Sequence, residues 1–469
     1  MERESFIEGN RQEFGEQFDS LNWVTTAQTV AAEEQRRGLL AELAGNIKTC
    51  CNGAKLYTHA LSPGCRLCTE GAWSCLFING ICNGRCFYCP ADQTHKGEPT
   101  TNTLQFSAAK DYVDYLSAFK IRGAGISGGE PLLTFDRTVQ YVEKIKKRHG
   151  AGLHVWMYTN GILLTPDKLA ILKDAGLDEI RFDISADGYS LDKVSLAVGV
   201  IANVTVEIPA IPEDAAILRD SMVRISDLGV NYLNLHQLRC TTHNREKLLS
   251  RPYTFLHGPK VTVLESELTA LEMLRFAVDR KLGIAVNYCS FIYRHRYQNM
   301  GVRRRGATVF VSPHETITAA GNIRSLALGG SPEELDELVK VFEQNDPGEK
   351  LWSLNGQKTR LVINVQLLPL LDPHRFPVHV TYFGATLKPS VTYRNPYREI
   401  KINPGKKIVV ERRALSGELL LDEESVRAFR AGCFPGGDIQ VSLAAPDESA
   451  ILKEIRSFEE TGSGLLSYF

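Results

Sequence analysis

From Trp73 to Ser290 the chain alternates short apolar runs with longer amphipathic stretches. The apolar runs are CLFING, GAGISGG, LHVWMYTNG, EIRFDIS, VTVEIPAI, YLNLHQL and IAVNYCS. Between them, Ala108–Phe119, Thr138–Arg148, Pro166–Ala175, Ala215–Leu228 and Leu264–Lys281 carry helical spacing. This alternation predicts an α/β fold, a parallel sheet or barrel with helices outside. In such barrels the working residues sit at the C-terminal strand ends and in the loops that follow. Before this region, residues 1–49 are polar and helix-favouring, with a helix start expected near Thr25. Residues 50–90 are studded with Gly, Pro and Asn, which predicts loops. After it the rhythm is lost. A helix over Pro332–Phe342 and β-prone stretches at Thr359–Leu367, Val378–Tyr382 and Lys407–Glu411 predict a separate α+β domain. The expected division is a helical, cysteine-rich extension over 1–72, a barrel over 73–300 and a C-terminal domain over 301–469.

Composition narrows the class. The 54 Lys and Arg against 55 Asp and Glu leave a net charge of −1, which argues against a nucleic-acid or anionic-membrane binder. The first residues are polar and acidic, without the apolar centre of a signal peptide, and no apolar run is long enough to span a membrane. A cytoplasmic setting is expected. Cysteine is the unusual residue: eight of the 11 fall between Cys50 and Cys89. In a reducing compartment such clustering points to metal or redox work rather than to disulfides.

The segment Cys82-Asn-Gly-Arg-Cys86-Phe-Tyr-Cys89 directly follows the first apolar run. Three thiolates on one loop can hold three corners of an iron–sulfur cube and leave the fourth iron open. Zinc held by a knuckle, or inert thiols, is the plainer reading of the same residues. About 40 residues on, the second run ends Ser127-Gly128-Gly129-Glu130-Pro131. Together these motifs resemble the radical SAM superfamily over roughly Leu76 to Ser290, in the branch of pyruvate formate-lyase-activating enzyme. The resemblance implies a partial (βα)6-type barrel with a 4Fe–4S cluster on Cys82, Cys86 and Cys89. It also implies S-adenosylmethionine held by Tyr88, Ser127, Gly128, Gly129, Glu130, Asn160, Asp183, Ser185 and Glu207. The implied chemistry is reductive cleavage of S-adenosylmethionine to a 5′-deoxyadenosyl radical that abstracts hydrogen from a small molecule or peptide. An electron donor such as flavodoxin or ferredoxin, and anaerobic operation, go with it. A glycyl-radical activase is the second reading, and a non-enzymatic metal-binding protein the third. No residue acting on the substrate is assigned.

Upstream, Cys65-Arg-Leu-Cys68 with Cys75 and Cys51 supplies four thiolates for a second iron–sulfur cluster or a structural zinc. Cys240 and Cys289 end strand-like runs; each either faces the barrel mouth or is a small buried hydrophobe. Cys433 reads as structural. The basic run from Tyr293 to Arg305 either holds an anionic substrate group or is a solvated linker. His236 and His295 read as structural histidines.

Overall fold

All seven apolar runs become strands, and they lie side by side in one parallel array. The structure, a computed structural model, describes residues 2–345, 351–372, 374–432 and 449–468; Cys433 lies outside them. The described chain divides into two units, one running to Gln298 and regaining the residues from Ser463, the other covering Asn299–Gly462.

The first unit opens with α1 (Glu2–Phe14) and α2 (Thr26–Leu43). Thr25 starts α2 as a capping box: its hydroxyl accepts from the Gln28 amide and Gln28 returns a bond to the Thr25 amide. A hairpin of β1 (Lys48–Cys50) and β2 (Lys55–Tyr57) follows, then α3 (Pro63–Thr69). The cysteine-rich segment is therefore more ordered than its Gly and Pro content suggests. Ser62 caps α3 by accepting from the Cys65 amide, and Pro63 supplies a preset first turn.

The parallel array consists of β3 (Trp73–Asn79), β6 (Gly123–Gly128), β7 (His154–Thr159), β8 (Glu179–Phe182), β9 (Asn203–Pro209), β10 (Tyr232–His236) and β13 (Ala285–Cys289). The short hairpin β4 (Thr100–Thr101) and β5 (Leu104–Gln105) closes one edge, while β2 and β1 close the other. The paired β11 (Phe255–Leu256) and β12 (Thr262–Val263) stand apart. Crossover helices include α4 (Ala109–Ala118), α5 (Phe135–His149), α6 (Pro166–Asp174), α7 (Asp192–Ala197) and α8 (Ala215–Asp227). Short α9 (Arg245–Leu249) and long α10 (Leu264–Asp279) precede β13. Ends β3 and β13 are not paired with each other, so the barrel is open.

Strand alternation decides what the barrel contains. Ile180, Phe182, Val204, Val206, Leu233, Leu235 and Val286 are buried on the alternate positions. Their neighbours on the other face are Arg181, Asp183, Glu207, Asn234, His236, Asn287 and Cys289, all of which line one cavity of about 500 Å³. The interior is therefore polar, charged and thiol-rich. Residues 1–72, expected as an extension, share this unit, and two of their thiols line its cavity. Residues from Ser463 also belong to it: Arg36 of α2 donates to the Leu466 carbonyl, and the Tyr468 hydroxyl donates to Glu267 of α10.

The second unit is an antiparallel sheet whose longest strand, Val378–Lys388, pairs with Ile323–Gly329 and Lys406–Ala414. The helix Pro332–Asn345 covers it through Leu335, Leu338 and Phe342. A buried ion pair, Arg324 with Glu459 at 2.9 Å, joins the sheet to the helix Ala450–Glu459.

Candidate active site

The loop after β3 carries Cys82, Cys86 and Cys89, and all three line the cavity as free thiols. Backbone placement is tight. The Glu130 amide donates to the Ile81 carbonyl at 2.7 Å, and the Gly129 amide donates to the Asn79 carbonyl at 3.0 Å. A side chain has no room there: a Cβ on Gly129 would sit 1.9 Å from the Ile81 oxygen, and one on Gly128, at φ +125°, 2.2 Å from the Asn79 oxygen. The two glycines thus let the second strand end pack directly on the start of the cysteine loop. The Gly84 amide donates to the Cys82 sulfur at 3.3 Å, and Asn160 reaches the same sulfur at 3.7 Å. Burial pushes the Cys86 thiol up to about 11, with the Tyr88 hydroxyl acting in the opposite direction. A metal reverses that balance, because ligation removes the proton outright.

Glu130 is almost fully buried, and its carboxylate accepts from the Leu132 amide (2.9 Å), the Thr159 hydroxyl (2.8 Å) and the Asn160 amide (2.8 Å). Its visible work is to tie the end of β6 to the end of β7. At the next strand end the Tyr88 hydroxyl donates to Asp183 at 2.9 Å and pairs with the Ser185 hydroxyl at 2.7 Å. Ser185 also donates to Asp183 at 2.6 Å. Burial raises the Asp183 carboxyl despite these donors. Cys82, Cys86, Tyr88, Cys89, Ser127, Gly128, Gly129, Glu130, Asn160, Asp183 and Glu207 all line the one cavity. Ser185 reaches it through Tyr88.

Glu207 sits deeper and belongs to a charged network. Arg181 donates to Glu207 at 2.7 Å and to Glu179 at 2.8 Å, and Asn234 donates to Glu207 at 2.9 Å. Burial opposes ionisation of Glu207, but Arg181 outweighs it and holds the carboxyl below its usual range. His236 faces the same floor, and burial together with Arg294 lowers it to about 4, so it is neutral near pH 7.

The four upstream thiols do not share one environment. Cys65 and Cys68, on one face of α3, are buried and line the cavity floor. Cys75, on β3, has Ser127 as its hydrogen-bonding neighbour, and burial pushes it up to about 12. Cys51 lies at the turn after β1, packed with Cys289 against Tyr293 and Tyr297. Among the described residues, no group of three or more His, Cys, Asp or Glu is arranged around a single metal ion. A cube makes a different demand, since each thiolate meets a different iron.

Three residues of this floor carry no sequence signal that singled them out: Lys55, Arg181 and Asn287. A charged residue inside the apolar run EIRFDIS was the available cue for Arg181, because buried parallel strands are otherwise nearly continuous in apolar residues. The basic run divides: Arg294 lines the cavity and Tyr293 is fully buried, so its start is no solvated linker. Cys289 lines the cavity beside Lys55 and Arg294, whereas Cys240 is buried among apolar side chains of its cluster.

Residues 76–196 match the family model described as Radical SAM superfamily. That stretch is a radical SAM domain. The chain is 27% identical over 346 residues, 70% of this chain and 90% of the other, to a Methanocaldococcus jannaschii protein provisionally named a glycyl-radical enzyme activating enzyme. Over 119 residues it is 37% identical to a GTP 3′,8-cyclase of Lactiplantibacillus plantarum; that match covers 25% of this chain and 34% of the cyclase. Among solved structures, Streptococcus suis SuiB bound to S-adenosylmethionine aligns at a TM-score of 0.35 with 12% identity, over 64% of this chain and 67% of SuiB. The radical SAM chain is thus an enzyme of a class whose shared cofactors are S-adenosylmethionine and a 4Fe–4S cluster. Among the described residues of this radical SAM protein, no helix is long and apolar enough to cross a membrane.

Proposed function

We propose that Cys82, Cys86 and Cys89 hold a 4Fe–4S cluster and that the adjoining strand ends hold S-adenosylmethionine against its open iron. The observation that supports this is the convergence of the three thiols, the Ser127–Glu130 strand end, Asn160 and the Tyr88–Asp183–Ser185 trio on one cavity. Bound there, a reduced cluster would supply the one electron that cleavage of the sulfonium C–S bond to methionine and a 5′-deoxyadenosyl radical requires. The chain's own residues set the geometry. Backbone groups of Ser127–Gly129, at the strand end that the two glycines let close onto the cysteine loop, hold the methionine end. The trio, two strands further along, receives the ribose hydroxyls. Glu130 keeps the two strand ends in register rather than presenting a free carboxylate. The buried walls exclude water from the radical.

The test is anaerobic reconstitution with iron and sulfide, reduction, and measurement of 5′-deoxyadenosine by mass spectrometry. Formation of 5′-deoxyadenosine is expected; reconstituted protein that binds iron but cleaves no S-adenosylmethionine overturns the proposal. A Tyr88→Phe variant, which removes the hydroxyl shared by Asp183 and Ser185, is expected to weaken S-adenosylmethionine binding roughly tenfold, the worth of one charge-assisted hydrogen bond. Titration calorimetry on reconstituted protein checks this, and unchanged affinity would remove the trio from the site.

A second reading, activation of a glycyl-radical enzyme, is favoured by the length of the match to the archaeal activating-enzyme relative. In that case the hydrogen comes from a glycine of a partner protein, and the radical appears on that partner by electron paramagnetic resonance. A flavodoxin or ferredoxin supplies the electron in either case. The ten described cysteines, all unpaired, fit a reducing cytoplasm.

A further inference from the structure

The cavity floor holds charges that the chemistry above leaves unused. Lys55 is fully buried, and its ammonium stands 4.3 Å from the Tyr293 ring. Among the described residues no carboxylate pairs with it; its charged neighbours are the sulfurs of Cys289, Cys65, Cys68 and Cys50. Arg294 lines the same floor with its Nε buried and unpartnered, and the Asn287 Oδ1 is likewise buried without a partner. A buried cation is tolerated only with an anion beside it. Among the described residues, the leading candidates to supply that anion to Lys55 are thiols.

We propose that Cys65, Cys68 and Cys289 bind a second iron–sulfur cluster on the cavity floor. The fold brings the three together from distant parts of the chain. Cys65 and Cys68 are three residues apart on α3 and share its inward face. Cys289 ends β13, where strand alternation turns it inward beside Asn287. The Cys68 sulfur has both Cys65 and Cys289 among its interacting neighbours. Amide donors are already aimed at the set: Asn234 Nδ2 lies 3.3 Å and Asn287 Nδ2 3.9 Å from the Cys65 sulfur. Such N–H donors and nearby cations are what stabilise a reduced, negatively charged cluster. Cys75 is left out, because its partner is Ser127 on the neighbouring strand. Cys51 is left out because it does not line the cavity. A cluster held by three thiolates would keep one iron without a protein sulfur, able to take an amine or carboxylate of the substrate.

The experiment keeps this site separate from the first by working in the Cys82/Cys86/Cys89→Ala background. That protein is expected to retain about four irons per chain and a 4Fe–4S signal on reduction. Adding Cys289→Ala, or Cys289→Ser as a better-tolerated replacement, is expected to remove both. Adding Cys75→Ala or Cys51→Ala is expected to leave iron and spectrum unchanged. Adding Lys55→Met is expected to move the midpoint potential to a more negative value, since a charge that favours the reduced state has gone. Zinc in place of iron, no metal in the background protein, or iron that survives loss of Cys289 would overturn the proposal. Loss of the cluster with Cys75→Ala or Cys51→Ala would overturn the three-thiol set. Failure of the 5′-deoxyadenosine assay would leave each of these readouts intact.

Discussion

A Gly129→Ala variant should lose 5′-deoxyadenosine formation about as completely as Cys86→Ala, although it touches neither the cysteines nor a charged group. The reason is steric. The added methyl would fall 1.9 Å from the Ile81 oxygen, 2.4 Å from its carbonyl carbon and 2.8 Å from its nitrogen, all of them backbone atoms that no rotamer change can clear. Either the strand end retreats or the loop that starts at Ile81 moves, and Cys82 is the next residue. A displacement of about 1 Å between reacting groups is enough to cost roughly a hundredfold in rate. Here both the proposed cluster loop and the proposed methionine cradle would shift at once. Iron content, the visible absorption band and the product assay on the reconstituted variant check this. Wild-type turnover would show that the contact between Gly129 and Ile81 does not set the site. A variant that keeps its iron but loses turnover would assign the effect to the cradle rather than to the loop.

How much of this was legible in the chain depended on which face of each strand a residue occupies. The helix-facing positions of β8, β9 and β10 are apolar without exception, so the runs stood out and their order in the sheet followed. The cavity-facing positions carry the chemistry, and only those inside known motifs could be singled out. Glu207 and Asp183 are expected in the site only through the family resemblance, not from their place at a strand end. Arg181 is not expected there, because inside EIRFDIS it looks like an interruption, and its meaning depends on Glu179 and Glu207 arriving from both sides. Helix α3 was hidden by its Pro, Gly and Cys, residues that predict loops, even though Ser62-Pro63 is a sound helix start. Lys55 and Cys289 are 234 positions apart in the chain, and nothing short of the folded sheet places them at one cavity. The four-thiol set read from upstream spacing has Cys75 and lacks Cys289, which the proposed three-thiol set takes from the folded sheet.

Replacing Glu179 by Gln is expected to lower the melting temperature by roughly 5 °C near neutral pH. Glu179 is completely buried and receives Arg181 Nε at 2.8 Å, His154 at 3.0 Å, the Thr205 hydroxyl at 2.9 Å and the Gly64 amide at 3.2 Å. These contacts join β7, β8, β9 and α3, so one carboxylate braces the floor on which Cys65 stands. Removing one partner of a buried pair leaves the other charge uncompensated and costs about 3 kcal/mol, which for a unit of this size gives the stated drop. Glu207 still faces Arg181, which keeps the loss to the lower end of that range. The pH dependence has a definite sign. Burial alone would raise the Glu179 carboxyl, but Arg181 and His154 outweigh it and hold it at about 2, below the ordinary 4.5. A carboxyl depressed in the folded state contributes stability that is fully present above about 4.5 and is lost as the pH falls toward 2. The gap between wild type and Glu179→Gln should therefore be constant from pH 7 to pH 6 and shrink by about half by pH 3. Thermal melts across that interval check it; a gap that does not narrow with acid would mean that the Arg181 network is held by shape rather than by charge.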